Sequence, residues 1–235
     1  MTIVVAVVLA IAWVHYGSIN ESEDPRVLEA KVMYKRYDIL AEQKKYDSIL
    51  ILLNNMEHIY LNFEDYKDSY EVGVICNNRA ATFITVALFE TSDSTEKQFL
   101  LKRARNNVKR SIQIYKNWQH TFAAYDLLQI RAYVNPIYDQ PNPLFKLDEI
   151  AAYKEKRTQE MIVAQRELPR RLSVSYTNLG MIQRHQGKTK EALESYKEAI
   201  DLWDKNYTAK NNVKVIMGLP VEKPNVLERL FPPEK

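Results

Sequence analysis

The stretch SVSYTNLGMIQRHQGKTKEALESYKEAIDLWDKN, residues 173–206, decides how the fold of this chain is interpreted. Gln186-Gly187-Lys188 divides it into two helical segments, because Gly187 can adopt the positive φ that ends a helix. Gly180 and Ala192 are small, which allows two antiparallel helices to cross closely. The bulky apolar residues around that crossing are Tyr176, Leu179, Tyr196 and Trp203. The stretch therefore predicts a helical hairpin.

The spacing of this hairpin resembles the tetratricopeptide repeat, whose signature is W-x-x-L-G-x-x-Y, then A-x-x-x-F, then P. The positions that carry the resemblance are Tyr176, Leu179, Gly180, Ala192, Tyr196 and Ala199. Gln183 and Asp204 depart from the signature, which has Tyr and Pro there. The resemblance implies a helical repeat that binds other proteins, and an ordinary hairpin of no repeat family is the alternative.

The rest of the chain is expected to supply packing partners for this hairpin. A single hairpin cannot bury its own apolar face, so about three or more must stack. Degenerate hairpins are predicted from about residue 30 and across residues 66–118, where Asp93 and Glu96 form a capping box. We therefore predict an all-α protein, a tetratricopeptide-like α-solenoid of about four helical hairpins over residues 26–206, preceded by an N-terminal hydrophobic membrane helix.

Two proline-containing segments depart from the repeat pattern. Residues 135–145 contain three prolines, which are expected to exclude a regular helix, and Pro169 is expected to end the helix before residue 173. Insertions in repeat arrays often serve binding, so Tyr138, Leu144 and Phe145 are candidate partner-binding residues, with a packed connector as the alternative.

The final segment, residues 207–235, is predicted to be a capping or partner-binding tail, because the helical pattern fails after residue 206. Leu227, Leu230 and Phe231 lie on a brief amphipathic turn within it. These three residues complete the candidate partner-binding set, and the tail either closes its own array or projects toward a partner.

The N-terminal segment, residues 1–17, is predicted to anchor the chain in a membrane. It carries no charged side chain, is apolar from Ile3 to Val14, and has Trp13 and Tyr16 suited to a membrane interface. Its length only reaches the lower limit of the ~17–25 residues that a spanning helix needs. A removed export signal and a buried first helix remain as alternatives. Residues 18–25 are polar and acidic and are predicted to be a linker.

The chemistry of the chain points away from catalysis. There are 33 basic and 30 acidic residues, a balance that does not indicate nucleic acid. Cys76 is the only cysteine and the four histidines are scattered, so no metal-ligand spacing or nucleophile motif is present. We predict no catalytic, cofactor-binding or metal-binding residue and no small-molecule substrate. A basic cluster, Lys102, Arg103, Arg105, Lys109 and Arg110, is either a solvated face or a site for phosphates or acidic lipids.

The functional hypothesis is a membrane-anchored scaffold whose helical body is extracytoplasmic, in the periplasm, within a multi-subunit envelope-associated complex. Small anchored repeat proteins of this kind resemble components of secretion or motility machines. A soluble or exported adaptor that binds a peptide or helix is the alternative, and a regulatory or nucleic-acid-binding module that uses the basic helices is a third possibility.

Overall fold

The computed structural model describes residues 23–221, and its regular elements are helices. These are α1 Leu28–Tyr34, α2 Tyr37–Glu42, α3 Tyr46–Leu61, α4 Tyr70–Thr85, α5 Ser94–Phe122, α6 Leu127–Asp139, α7 Ile150–His185, α8 Thr189–Leu202 and α9 Tyr207–Ile216. Glu64–Tyr66 forms a 3-10 turn, and Val86–Glu90 continues α4 as a π-helical turn. Because residues 23–221 include no strand, the all-α class is confirmed. The segment predicted to be an anchor, residues 1–17, lies outside the described residues.

The described chain divides into two compact units. The first unit contains the residues up to Val72 together with Asn117–Arg166, and the second contains Gly73–Lys116 and the residues from Glu167 onward. Each unit is built from parts of the chain that are distant in sequence.

In the first unit, α1 and α2 pack on α3. Lys44 has a φ of 55° in the turn between α2 and α3, which reverses the chain there. Four apolar side chains recur at helical spacing along α3 and are buried, namely Ile49, Leu53, Met56 and Tyr60. The hairpin predicted from about residue 30 forms, with its first helix divided into α1 and α2.

In the second unit, α4 and α5 cross closely at Gly73. An added Cβ on Gly73 would lie 2.5 Å from Cε1 of Tyr115, so any other residue there would force the buried Tyr115 ring to shift. Ala104, Val108 and Ser111, the small-large-small residues of α5, are fully buried. Hydrophobic burial therefore sustains α4 despite the β-branched residues along it.

Tyr70–Glu90 is long and apolar enough to cross a membrane by length and composition alone. In the described structure, however, 72% of the apolar 18-residue stretch within Tyr70–Glu90 is buried inside the protein. This is the placement of a core helix.

Two prolines lie inside helices, contrary to the expectation from sequence. Pro136 is within α6, three residues before its end, and Pro169 is within α7. A proline removes one backbone hydrogen bond. Burial of Leu168 and Leu172 on either side of Pro169 holds the helix together across that gap. The segment with three prolines is therefore helical as far as Asp139.

The chain breaks between α5 and α6, and the predicted cap of α5 differs from the prediction. Residues 121–134 form the end of α5 and the start of α6, separated at Asp126. There the Gln129 N–H donates to Asp126 Oδ1 at 2.8 Å and the Asp126 N–H donates to Gln129 Oε1 at 2.9 Å, a complete capping box. At the start of α5 only half of the predicted box forms. Asp93 accepts the Glu96 N–H, while the Glu96 carboxylate accepts the Thr91 hydroxyl.

The predicted linker and tail both contribute ordered packing. The folded body begins earlier than Arg26, because Asp24 is 3% exposed and pairs with Arg26. After residue 206 the chain forms α9, contrary to the prediction that the helical pattern fails there. Ala209, Val213 and Ile216 recur at helical spacing, and their packing against the preceding helix stabilises α9.

Candidate functional site

The hairpin of α7 and α8 in the second unit is built around a glycine and a tyrosine. A Cβ on Gly180 would lie 2.6 Å from Cε1 of Tyr196, and Tyr196 is fully buried with Ala192 and Ala199 on the same face of α8. Gly187 has a φ of +74° in the turn between the two helices. The residues that carry the sequence pattern are therefore the ones that set the helix crossing.

Asn206 closes this hairpin and starts the next helix. Its Nδ2 donates to Ser173 Oγ at 2.7 Å and to Thr177 Oγ1 at 2.8 Å, while its Oδ1 accepts the Ala209 N–H at 2.9 Å. Ser173 Oγ in turn donates to the Ala199 carbonyl oxygen at 2.6 Å. One buried amide thus ties together the first residue of the repeat, its second helix and the start of α9.

The helix α9 covers the apolar face that the hairpin would otherwise expose. Ala209 belongs to the same buried cluster as Tyr196, and Val213 and Ile216 pack against that cluster. Near the end of α7, Arg184 Nη1 donates to Asn212 Oδ1 on α9 at 2.8 Å. The described beginning of the tail, as far as Ile216, is therefore a cap of the repeat.

The imidazole of His185, next to Arg184, has a lowered pKa. Burial lowers the pKa of the imidazole below its usual value, and the charges of Arg184 and Lys97 lower it further. Both effects disfavour the protonated form of the side chain.

Three of the candidate partner-binding residues lie in the first unit, and their surroundings differ. Tyr138 is 1% exposed and its hydroxyl donates to Asp24 Oδ2 at 2.8 Å. The Phe145 ring is 5.2 Å from the Tyr138 ring, whereas Leu144 is 50% exposed. Tyr138 is therefore a core residue, a correction explained by its buried hydroxyl partner, and of these three Leu144 is the one that offers an open apolar surface. Leu227, Leu230 and Phe231 lie outside the described residues.

Tyr138 and Phe145, from the segment with three prolines, are two of the four aromatic rings around Arg26. No sequence pattern singled out Arg26. The Arg26 guanidinium carbon lies 5.2–5.5 Å from four ring centroids, those of Phe63, Tyr66, Tyr138 and Phe145. Its nitrogens donate to both carboxylate oxygens of Asp24 and of Asp65. Four rings and two carboxylates thus fix the start of the described chain to the first unit. The sequence does show acidic residues before Pro25, but it does not show which cation they pair with.

A second buried cation, Arg157 on α7, lies beside the first. Its Nη1 donates to Glu71 Oε1 at 2.5 Å, and its guanidinium carbon lies 4.4 Å from the Tyr66 ring centroid. Burial acts to raise the pKa of the Glu71 carboxyl, but the charge and hydrogen bond of Arg157 outweigh burial and hold that pKa below its usual value. Lys31 bridges Glu23 and Glu160 in the same cluster. These ion pairs join the start of the described chain, α1, α4 and α7 within the first unit.

No group of three or more His, Cys, Asp or Glu side chains within residues 23–221 is arranged to hold a metal ion. Cys76 is buried with its thiol in the core of the second unit.

Comparison with known protein families gives one result. The model of the tetratricopeptide repeat matches residues 173–206, the hairpin formed by the end of α7 and by α8. Neither the comparison with curated proteins nor the comparison with solved structures returns a match.

Proposed function

We propose that the chain is a protein-interaction scaffold, because residues 173–206 match the model of the tetratricopeptide repeat. Repeats of this kind bind other proteins, and this match carries the proposal. The folded hairpin supports it, since Gly180 allows the close helix crossing, Tyr196 is buried, and α9 covers the apolar face of the hairpin.

The proposed scaffold is held on a membrane through residues 1–17, with its helical body on the extracytoplasmic side and within a multi-subunit envelope-associated complex. The uncharged apolar run from Ile3 to Val14 supports the anchor. The packing of Asp24 and Arg26 also supports it, because only the short stretch from Gly17 to Ser22 would separate the anchor from the folded body. A stretch of this length reaches at most ~20 Å when fully extended. Partners would therefore be met close to the bilayer.

The scaffold part of the proposal is tested by co-purification. The full chain, tagged at its C-terminus and expressed at its native level, is extracted from membranes in mild detergent and its partners are quantified by mass spectrometry. We expect partner proteins at near-stoichiometric amounts. Recovery of the protein alone, from both the membrane and the soluble fractions, contradicts a scaffold.

The anchor and its orientation are tested separately. The mass of the mature protein shows whether residues 1–17 are retained, and resistance to alkaline extraction shows integral membrane attachment. For orientation, Lys190→Cys is introduced with Cys76→Ser and labelled in intact cells with a membrane-impermeant maleimide, since Lys190 is exposed on α8. We expect labelling without cell lysis. A soluble mature form that begins near Trp13 instead identifies an exported adaptor.

A further inference from the structure

The helix α5 carries an unusual charge pattern within the second unit. Between Lys97 and Lys116 there are seven basic residues and no Asp or Glu. The basic residues are Lys97, Lys102, Arg103, Arg105, Lys109, Arg110 and Lys116. The chain as a whole is nearly balanced in charge, so this concentration is local.

The structure places most of these cations on one exposed face. Lys102, Arg103, Lys109, Arg110 and Lys116 are exposed, and the side chains that recur between them at helical spacing, Asn106 and Gln113, are exposed as well. The opposite face of the helix is buried through Leu101, Ala104, Val108, Ser111 and Tyr115. We call the exposed set, from Lys102 to Lys116, the basic face of α5. At about 1.5 Å per residue it runs for roughly 21 Å.

Two lysines of the basic face are not neutralised by carboxylates of the described chain. Lys102 and Lys109 have no ion-pair partner among residues 23–221. Beside them, the Arg103 guanidinium lies 4.5 Å from the Phe83 ring centroid, which fixes its plane at the surface. Lys102 and Lys109 are seven residues apart, so they lie about 10 Å apart along one line of the helix. A chain of carboxylates can therefore pair with both.

The neighbouring helix decides between kinds of acidic ligand. In the same unit α8 exposes Glu191, Glu194, Glu198 and Asp201. The two faces approach each other at Lys116, whose pKa is raised by its hydrogen bond with Tyr176 and also by the charge of Glu198. A planar anionic bilayer or a DNA duplex is wide enough to bring phosphates onto these carboxylates, which is repulsive. A single acidic polypeptide segment can lie along α5 from Lys102 to Arg110, the part of the basic face away from Lys116.

We propose that the basic face of α5 binds an acidic segment of a partner protein. The inference rests on the proposed scaffold function and adds a surface and a ligand chemistry to it. The basic face lies on α5 and meets the hairpin of residues 173–206 at Lys116, whose Nζ lies 5.5 Å from the Tyr176 ring centroid. Arg103 and Arg110 supply planar donors that match carboxylates, while Lys102, Lys109 and Lys116 supply point charges along the same line. Such contacts accelerate association and make it sensitive to salt.

The test uses the full chain in detergent and a fluorescent poly-glutamate peptide long enough to span the basic face, with binding followed by anisotropy. The variant is Lys102→Glu/Lys109→Glu. The matched control is Lys190→Glu/Lys197→Glu on the exposed side of α8, which changes the net charge by the same amount. We expect at least a tenfold loss of affinity in the α5 variant and less than a threefold change in the control. Equal losses in the two variants mean that net charge alone attracts the peptide, and the proposal is then wrong.

Two further probes test the choice of ligand. A short DNA duplex and vesicles with and without phosphatidylserine are titrated against the same proteins, so that any contribution of residues 1–17 cancels between variants. Tighter α5-dependent binding of either probe than of the peptide overturns the assignment to an acidic polypeptide. Circular dichroism and thermal unfolding confirm that both variants are folded, as expected for exposed lysines.

The failure of this inference is distinguishable from failure of the scaffold. If wild-type protein co-purifies with partners and Lys102→Glu/Lys109→Glu retains all of them, the scaffold stands and the basic face is not a binding site. If wild-type protein is recovered alone, the scaffold itself is wrong, whatever the peptide shows.

Discussion

The two units of the chain bury different kinds of polar group. The first unit buries charges, among them Asp24, Arg26 and Arg157, and surrounds them with aromatic rings. The second unit, apart from Arg79, buries neutral amides and hydroxyls such as those of Asn77 and Ser175, which hydrogen bond at 3.1 Å. A buried charge must keep its partner, whereas a neutral network requires the right shape and spacing. We therefore expect the first unit to be sensitive to charge removal and acid, and the second to substitutions that alter the helix crossing.

The largest effect is expected when one partner of a buried ion pair is removed. Arg157→Met leaves the Glu71 carboxylate without its closest cation, which costs about 3–5 kcal/mol for pairs of this kind. The measurement is urea unfolding together with hydrogen exchange of α3 in the first unit and α8 in the second. Exchange in α3 is expected to rise more than exchange in α8.

Arg131→Met is the matched control for this substitution. Its ion pair with Glu155 has the same chemistry, at 2.9 Å, but lies at the surface, so it contributes about 0–1 kcal/mol. Adding Glu71→Gln to Arg157→Met should recover part of the loss, since the uncompensated charge is then gone. If the Arg157 and Arg131 variants are equally stable, burial of charge does not distinguish the first unit.

Acid should also separate the two units. Burial favours a raised pKa for Asp24, but its hydrogen bonds and charge interaction with Arg26 outweigh burial and leave that pKa below its usual 3.8; Glu71 is likewise below 4.5. The unfolded chain therefore binds more protons in this range, so stability is present above these usual values and is lost as the pH falls through the lower folded values. We expect the first unit to open at a higher pH than the second.

The acid experiment uses tryptophan fluorescence at single sites. Trp118 lies in the first unit and Trp203 in the second, so Trp→Phe variants that keep one of them, with Trp13 also replaced, report each unit separately. His185→Gln is included because the lowered pKa of His185 makes the second unit lose a little stability below about pH 6.5. Coincident acid transitions of the two tryptophans contradict the expected order.

A smaller effect is expected from the neutral network of the second unit. Asn206→Ala removes the cap of α9 and two buried hydrogen bonds to Ser173 and Thr177, which together contribute about 2 kcal/mol. Asn206→Ser keeps a capping oxygen but lacks the amide donors, so it should cost about half as much. Thermal unfolding and exchange in α9 measure both. Equal costs for the two substitutions would show that the hydrogen bonds to Ser173 and Thr177 account for the loss and that the cap does not contribute.

The sequence predicted what depends on local spacing and missed what depends on distant partners. The hairpin of residues 173–206 and the buried faces of α3 and α5 were predictable, because a helical period marks them. Helix continuation through Pro136 and Pro169 was not, since burial of neighbouring side chains outweighs one lost hydrogen bond.

The candidate site shows the same limit. Tyr138 is an aromatic residue in a proline-containing segment, which from sequence alone favoured partner binding. Its hydroxyl instead donates to Asp24, which is 114 positions earlier in the chain. No local pattern encodes that contact. The basic face of α5 was visible as a cluster, but the absence of paired carboxylates around Lys102 and Lys109 within the described chain is a property of the fold.

The smallest effect tests the crossing that defines the repeat. Gly180→Ala places a Cβ 2.6 Å from the buried Tyr196 ring, and overpacking of this kind costs about 1–3 kcal/mol. The higher helix propensity of alanine offsets about 1 kcal/mol, so a net loss of about 1 kcal/mol is expected, with a similar loss for Gly73→Ala against Tyr115. Tyr196→Phe serves as the control, because its hydroxyl has no hydrogen-bond partner among the described residues and its removal should be nearly neutral. Tyr196→Leu removes the ring that the added methyl group would strike, so Gly180→Ala should be harmless in that background. Additive losses in the double variant would mean that the ring and the glycine do not share this contact.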